Sequence, residues 1–160
     1  MIQEMKEINC ILPFTPDSQD VKINPFNFKI FGFYIAASWN SPSIDFALTL
    51  DKLYKTINQN GQILEIIFIS FDETQELFEK TRSLVPFPAL KFKDKITKKI
   101  LKELRCNSIP YLSIFKEGKE ISCEGVEDIQ ELGINAFEKW LKMNNPVEQL
   151  DIPHESSKEN

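Results

Sequence analysis

One nine-residue run, Lys29-Ile30-Phe31-Gly32-Phe33-Tyr34-Ile35-Ala36-Ala37, constrains this chain more than any other feature. It is apolar at odd and even positions alike and rich in aromatic and β-branched side chains, so as a strand it has to be covered on both faces. A central strand in a layered α/β domain meets that demand. Directly after it, Ser38-Trp39-Asn40-Ser41-Pro42-Ser43 carries the chemistry of a helix start. Asn40 or Ser41 can accept from the orphan N–H groups of a first turn, and Pro42 fits where its missing N–H would have had no partner. From Ile44 onward Phe46, Leu50, Leu53, Tyr54 and Ile57 recur at three- and four-residue spacing, and Asn60-Gly61 offers a left-handed stop.

The rest of the chain continues the alternation. Ile8 to Leu12 reads as a short strand, followed by a meander through Pro13, Pro16 and Pro25. Ile63 to Ser70 is a second apolar strand, after which Asp72 or Thr74 caps a helix bearing Leu77, Phe78 and Leu84. Pro86-Phe87-Pro88 breaks that helix. Lys95 to Leu104 then places Ile96, Ile100, Leu101 and Leu104 on one face. Tyr111 to Phe115 is a strand, Lys116 to Lys119 a turn, Glu120 to Ser122 the returning edge, and a final helix turns Ile134, Phe137, Trp140 and Leu141 inward. Past Asn144 the chain is polar and punctuated by Pro146 and Pro153. The organisation expected is an extension over 1–27, a domain over 28–143 and a polar tail over 144–160. Its mixed sheet should carry helices on both faces.

Composition removes several classes of function. A length of 160 residues suits one core, and 19 basic against 24 acidic residues give a net charge of −5, which repels nucleic acid. No apolar run approaches the ~20 residues of a membrane span, and Met1 to Glu7 has no secretory pattern. Neither membrane insertion nor secretion is expected. The single histidine, His154, falls in the tail, so multi-histidine zinc sites and histidine-assisted serine or cysteine catalysis have no residues to use. Cys10, Cys106 and Cys123 are odd in number and far apart, which points to reduced thiols in an intracellular setting. No cofactor or metal is expected.

Four ordered segments carry a resemblance. Phe31 to Ser43 resembles the tryparedoxin and nucleoredoxin branch of the thioredoxin family, in which a strand runs into Trp-Cys-Pro-Pro-Cys. Phe68-Ile69-Ser70-Phe71-Asp72 is similar to the branch's Phe-Val-Ser-x-Asp, and Val85-Pro86-Phe87-Pro88-Ala89-Leu90 to its Met-Pro-Trp-x-Ala-Leu. Ser108-Ile109-Pro110-Tyr111 stands in the place of Gly-Ile-Pro-Thr. The resemblance implies a thioredoxin-like mixed central β-sheet with a cis Ile109-Pro110 bond beside the motif. It also implies a peptide-binding groove walled by Trp39, Pro42, Ile109 and Pro110. At the positions of the family's two cysteines, however, stand Asn40 and Ser43, and Ser41 replaces the first proline. Thiol–disulfide exchange needs a thiolate to attack and a second thiol to resolve the mixed disulfide. Neither an amide nor an unactivated hydroxyl supplies that. The branch commonly interrupts the first helix with a proline, whereas Phe46-Ala47-Leu48 continues it here, and a straighter helix is expected.

Each remaining candidate has a plainer explanation beside the functional one. Cys106 matches a buried aliphatic position, and Ser43 fills the site of a lost thiol at a helix N-terminus. Asp72, Glu73 and Glu76 favour a helix dipole, and the lysines from Lys91 to Lys99 form a solvated helix face. Trp39 and Phe87 are either core aromatics or exposed walls of the groove. The function expected is a redox-inactive module serving as a structural or adaptor subunit of an intracellular, cytoplasmic, cytoskeletal or organellar assembly, with protein partners. The alternatives are a thiol–disulfide oxidoreductase with monothiol or chaperone-like activity, and a different enzyme on the same fold. Partner binding is expected at the groove or at the tail.

Overall fold

The structure is a computed structural model and describes residues 2–13 and 20–143. The polar tail expected over 144–160 lies outside the described residues. In chain order the elements are β1 (Ile8–Ile11), β2 (Asp20–Ile23), β3 (Ile30–Ala36), α1 (Ser41–Ile57), β4 (Leu64–Ser70), α2 (Gln75–Arg82) and α3 (Thr97–Leu104). These are followed by β5 (Tyr111–Lys116), β6 (Lys119–Ser122), α4 (Gly125–Leu132) and α5 (Asn135–Lys142). A four-stranded sheet has the order β4-β3-β5-β6, with β3 parallel to β4 and antiparallel to β5.

All seven residues of β3 are buried, as an apolar strand between two layers must be. Its side chains alternate between two cores. Tyr34 and Ala36 join Leu50, Phe68, Phe78, Ile129 and Trp140 from α1, β4, α2, α4 and α5. Phe31, Phe33 and Ile35 join Phe115, Ile67, Ile100 and Leu104 on the face covered by α3 and the N-terminal hairpin. The sheet is therefore mixed, with helices on both faces. Gly32 admits the close approach of β5: a Cβ there would lie 3.0 Å from the Ser113 carbonyl oxygen. The Ile109-Pro110 bond is cis, as the family resemblance implied.

Several elements differ from the sequence expectation. The region read as a meander contains β2, paired antiparallel to β1 from Ile8↔Ile23 to Ile11↔Asp20. With only Ile23 buried, β2 has too little apolar signal to stand out among prolines. α1 ends at Ile57 instead of running to Asn60-Gly61, because Asn58 leaves the helix to serve the next strand. Its Oδ1 accepts from Ile63 N and Leu64 N, and its Nδ2 donates to the Leu64 carbonyl. Leu84 lies beyond α2, and α3 begins at Thr97, so Lys91, Lys93 and Lys95 precede the helix instead of lining its face. The closing helix is two helices, broken at Gly133 with φ +59°, and Ile134 is 48% exposed at the break instead of buried.

The segment 86–90 joins the two sheets. Ala89 exchanges hydrogen bonds with Ile11, while Pro88 O accepts from Phe68 N and Leu90 N donates to Phe68 O. The β4 edge is thus paired through the segment that carries the Val-Pro-Phe-Pro-Ala-Leu motif.

Candidate functional site

β3 delivers its C-terminal end to residues 37–43, where the chain turns into α1. Asn40, extended at φ −107° and ψ 106°, is the N-cap of that helix. Its Oδ1 accepts from Ser43 N at 2.8 Å and from Ser43 Oγ at 2.7 Å, satisfying one orphan amide and the hydroxyl together. Ser43 is fully buried, and its carbonyl accepts from Tyr34 Oη at 2.7 Å. Burial pushes the Tyr34 phenol above its ordinary value, which leaves it a donor at neutral pH. Asn40 and Ser43, which the resemblance sets at the family's cysteine positions, are therefore joined in one small network. It holds no histidine, and Asn40 has no proton-accepting strength to activate the Ser43 hydroxyl.

The turn is fixed from β4 by a residue whose role the sequence reading missed. Of the two cap candidates, Asp72 and Thr74, it is Thr74 that caps α2, and Asp72 is buried against the turn. Its Oδ1 accepts from Ser38 N at 2.8 Å and Ser38 Oγ at 2.7 Å; its Oδ2 accepts from Ser70 Oγ at 2.7 Å and Thr81 Oγ1 at 2.8 Å. Four donors from three elements converge on one carboxylate. The available signal was the spacing Ser70-x-Asp72 directly after an apolar strand.

The groove residues split by exposure. Trp39 is 62% exposed, and Ser41 and Pro42 are exposed beside it. Phe71, next to Asp72, is 38% exposed. Ile109 and Pro110 are half-buried. Tyr111 pairs with Ile35, which brings the cis Ile109-Pro110 bond to the end of the sheet where β3 runs into Trp39. Phe87 is fully buried and makes an edge contact with Tyr34, so of the two aromatics left open by the sequence only Trp39 faces outward.

The three thiols lie elsewhere. Cys10 is fully buried in β1, and burial, with the Glu65 and Asp94 carboxylates adding to it, pushes the thiol far above its usual value. Cys106 is not in a buried strand start as expected: it is half-exposed in the loop before β5, with Sγ 3.5 Å from the Ser108 carbonyl oxygen. Its thiol is raised by burial, which outweighs that contact. For the exposed Cys123, loss of hydration comes first and the Glu120 and Glu124 carboxylates add to it, again upward. None of these surroundings favours a thiolate. Among the described residues no three or more histidine, cysteine or acidic side chains are grouped to hold a metal, and no helix is long and apolar enough to cross a membrane.

Comparison with known proteins places this geometry. A thioredoxin-like family model matches residues 27–121. A probable nucleoredoxin 2 from Oryza sativa subsp. japonica is 32% identical over 125 residues, covering 77% of this chain and 32% of the relative. Nucleoredoxin from Xenopus laevis is 27% identical over 124 residues, covering 76% of this chain and 30% of the relative. This chain thus spans about a third of the length of these curated relatives. Among solved structures, tryparedoxin II from C. fasciculata superposes with a TM-score of 0.69 at 25% identity, covering 78% of this chain and 85% of that one.

Proposed function

Since the chain belongs to the thioredoxin-like family, in its tryparedoxin and nucleoredoxin branch, we propose that it is a redox-inactive module acting as a structural or adaptor subunit. The observation that carries this reading is the turn itself. Asn40 and Ser43 occupy the helix start and satisfy each other, while Trp39 and Pro42 stay exposed beside them. Binding by strand addition uses main-chain hydrogen bonds and apolar contacts, so it does not depend on sulfur. An extended peptide from a protein partner would lie along Trp39, Ile109 and Pro110. An intracellular assembly is the setting that suits reduced thiols and such a partner.

A residual monothiol activity would have to use Cys106 or Cys123, and both thiols are raised where a reactive thiol needs to be lowered. The purified protein should therefore show no dithiol-dependent reduction of insulin or of a glutathione-coupled disulfide. Reduction that disappears when Cys106 and Cys123 are changed to serine would establish the oxidoreductase alternative instead. For the binding role, Trp39→Ala tested by pull-down from the native source should lose the co-purifying partner with the domain still folded. Undiminished recovery of that partner would remove the groove from the proposal.

A further inference from the structure

The two edges of the four-stranded sheet are treated differently. The β4 edge is paired through Pro88, Ala89 and Leu90, whereas among the described residues no strand lies beyond β6. Lys116 and Lys119 flank the two-residue turn Glu117-Gly118, whose φ values of 53° and 80° are those of a tight hairpin, and so form a hydrogen-bonded pair. The alternation of an antiparallel ladder then turns the N–H and C=O of Glu120 away from β5. Beside this open edge runs a cleft of about 430 Å³, lined along one side by 119–124 and on the other by Gln3, Asp128, Lys139 and Met143. A strand's unpaired main chain therefore forms one wall of a cleft.

The charges along that wall are ordered. The register of β6 on β5 shifts between Ile114 and Phe115, where Ile121 is the extra residue, and Lys119 and Glu124 consequently line the same cleft although they are five positions apart. The other charges near them are already engaged: Lys139 bonds Asp128 at 2.8 Å, and Glu120 accepts from Ser113 Oγ. The cleft thus has a cation at one end and a carboxylate at the other. A two-fold axis through the strand pairs it antiparallel with itself and closes the assembly at two copies. Setting Glu120 opposite Glu120 would oppose like charges, but setting it opposite Cys123 brings Lys119 against Glu124 twice. We propose that a second copy of this chain adds its β6 antiparallel to β6 in that register, with Lys119 facing the second copy's Glu124, so that two four-stranded sheets become one. A bulged, charged edge refuses most strands, and here the same features select the chain's own copy.

Sedimentation equilibrium of the whole protein over roughly 1–300 µM at low salt tests this. A monomer–dimer equilibrium that weakens with salt is expected, with a dissociation constant of about 100 µM or tighter for so short a ladder. Lys119→Glu should weaken it at least about tenfold, as should Glu124→Lys, each bringing like charges together. An equimolar mixture of these two variants restores both pairs and should associate where neither does alone, which a misfolded variant would not do. Lys142→Glu, the same charge change away from the cleft, should leave the constant within about threefold. A chain that stays monomeric throughout this range overturns the proposal, as does a dimer that both reversals leave intact or a mixture that stays monomeric. A monomer whose Glu120 amide is nonetheless protected from hydrogen exchange would also overturn it and give the edge to another segment of the same chain.

Discussion

The two ends of α1 are both stitched to β4 by polar side chains, but they leave different surfaces behind. At the C-terminal end Asn58 pairs with Ile63 and Leu64, while Glu65 accepts from Tyr54 Oη at 2.8 Å and from Ile66 N at 3.0 Å. The outward amides of β4 at Leu64, Ile66 and Phe68 thus bond to Asn58, Glu65 and Pro88, and the strand edge is sealed. At the N-terminal end Asp72, Asn40 and Tyr34 satisfy every donor they touch, yet Trp39 projects into solvent. The contrast is between a paired strand edge and a turn that leaves one large aromatic in solvent.

The largest effect expected from disturbing this contrast is at Asp72. Asp72→Ala leaves the Ser38 amide and the Ser38 and Ser70 hydroxyls without their acceptor, while Thr81 Oγ1 keeps the Leu77 carbonyl, and should cost about 3 kcal/mol in denaturant unfolding. The fluorescence of the Trp39 turn should change with it. A cost under about 1 kcal/mol would mean that the turn is held by packing alone.

At the sealed end the prediction is in pH. Burial pushes the Glu65 carboxyl up to about 7 from 4.5, although hydrogen bonds from Tyr54 and Ile66 pull the other way. The folded state therefore keeps this proton while the unfolded chain releases it. The stability from this group is fully present below about pH 4.5 and is lost as pH rises through about 7. Glu65→Gln should remove that slope and raise stability at pH 8 by about 2 kcal/mol, read from urea midpoints at several pH values. A slope that survives in Glu65→Gln would assign the titration to another group.

Smaller still is the cap. Asn40→Ala removes the acceptor of Ser43 N and Oγ and should cost about 1 kcal/mol. Asn40→Asp, which keeps an acceptor and adds charge at the helix start, should restore most of it. The smallest effect on stability is expected at Trp39, where Trp39→Ala should stay within about 0.5 kcal/mol because the side chain is already in water. A larger loss would make Trp39 a structural residue and weaken the contrast with the sealed end.

Much of the fold was legible from residues alone. The run from Ile30 to Ala36 demanded cover on both faces, and the Asn40 and Pro42 pattern marked the helix start within a residue, because both signals arise from local backbone chemistry and from burial period. The positions of Asn40 and Ser43 relative to each other were likewise fixed by helix geometry. What escaped was decided by distant contacts. The short strand Asp20–Ile23 exists because β1 pairs with it, not because its own side chains are apolar. Asn58 ends α1 early because Ile63 and Leu64 need its amide, and Gly133 splits the last helix where periodicity alone saw one. Only the tertiary structure set Trp39 outside and Phe87 inside, since two aromatics with similar sequence surroundings differ in whether α1 and β3 close over them. The convergence of Ser38, Ser70 and Thr81 on Asp72 was decided there as well: a carboxylate's partners across 34 residues of chain are chosen by how helix and strand pack, and no local pattern encodes that choice.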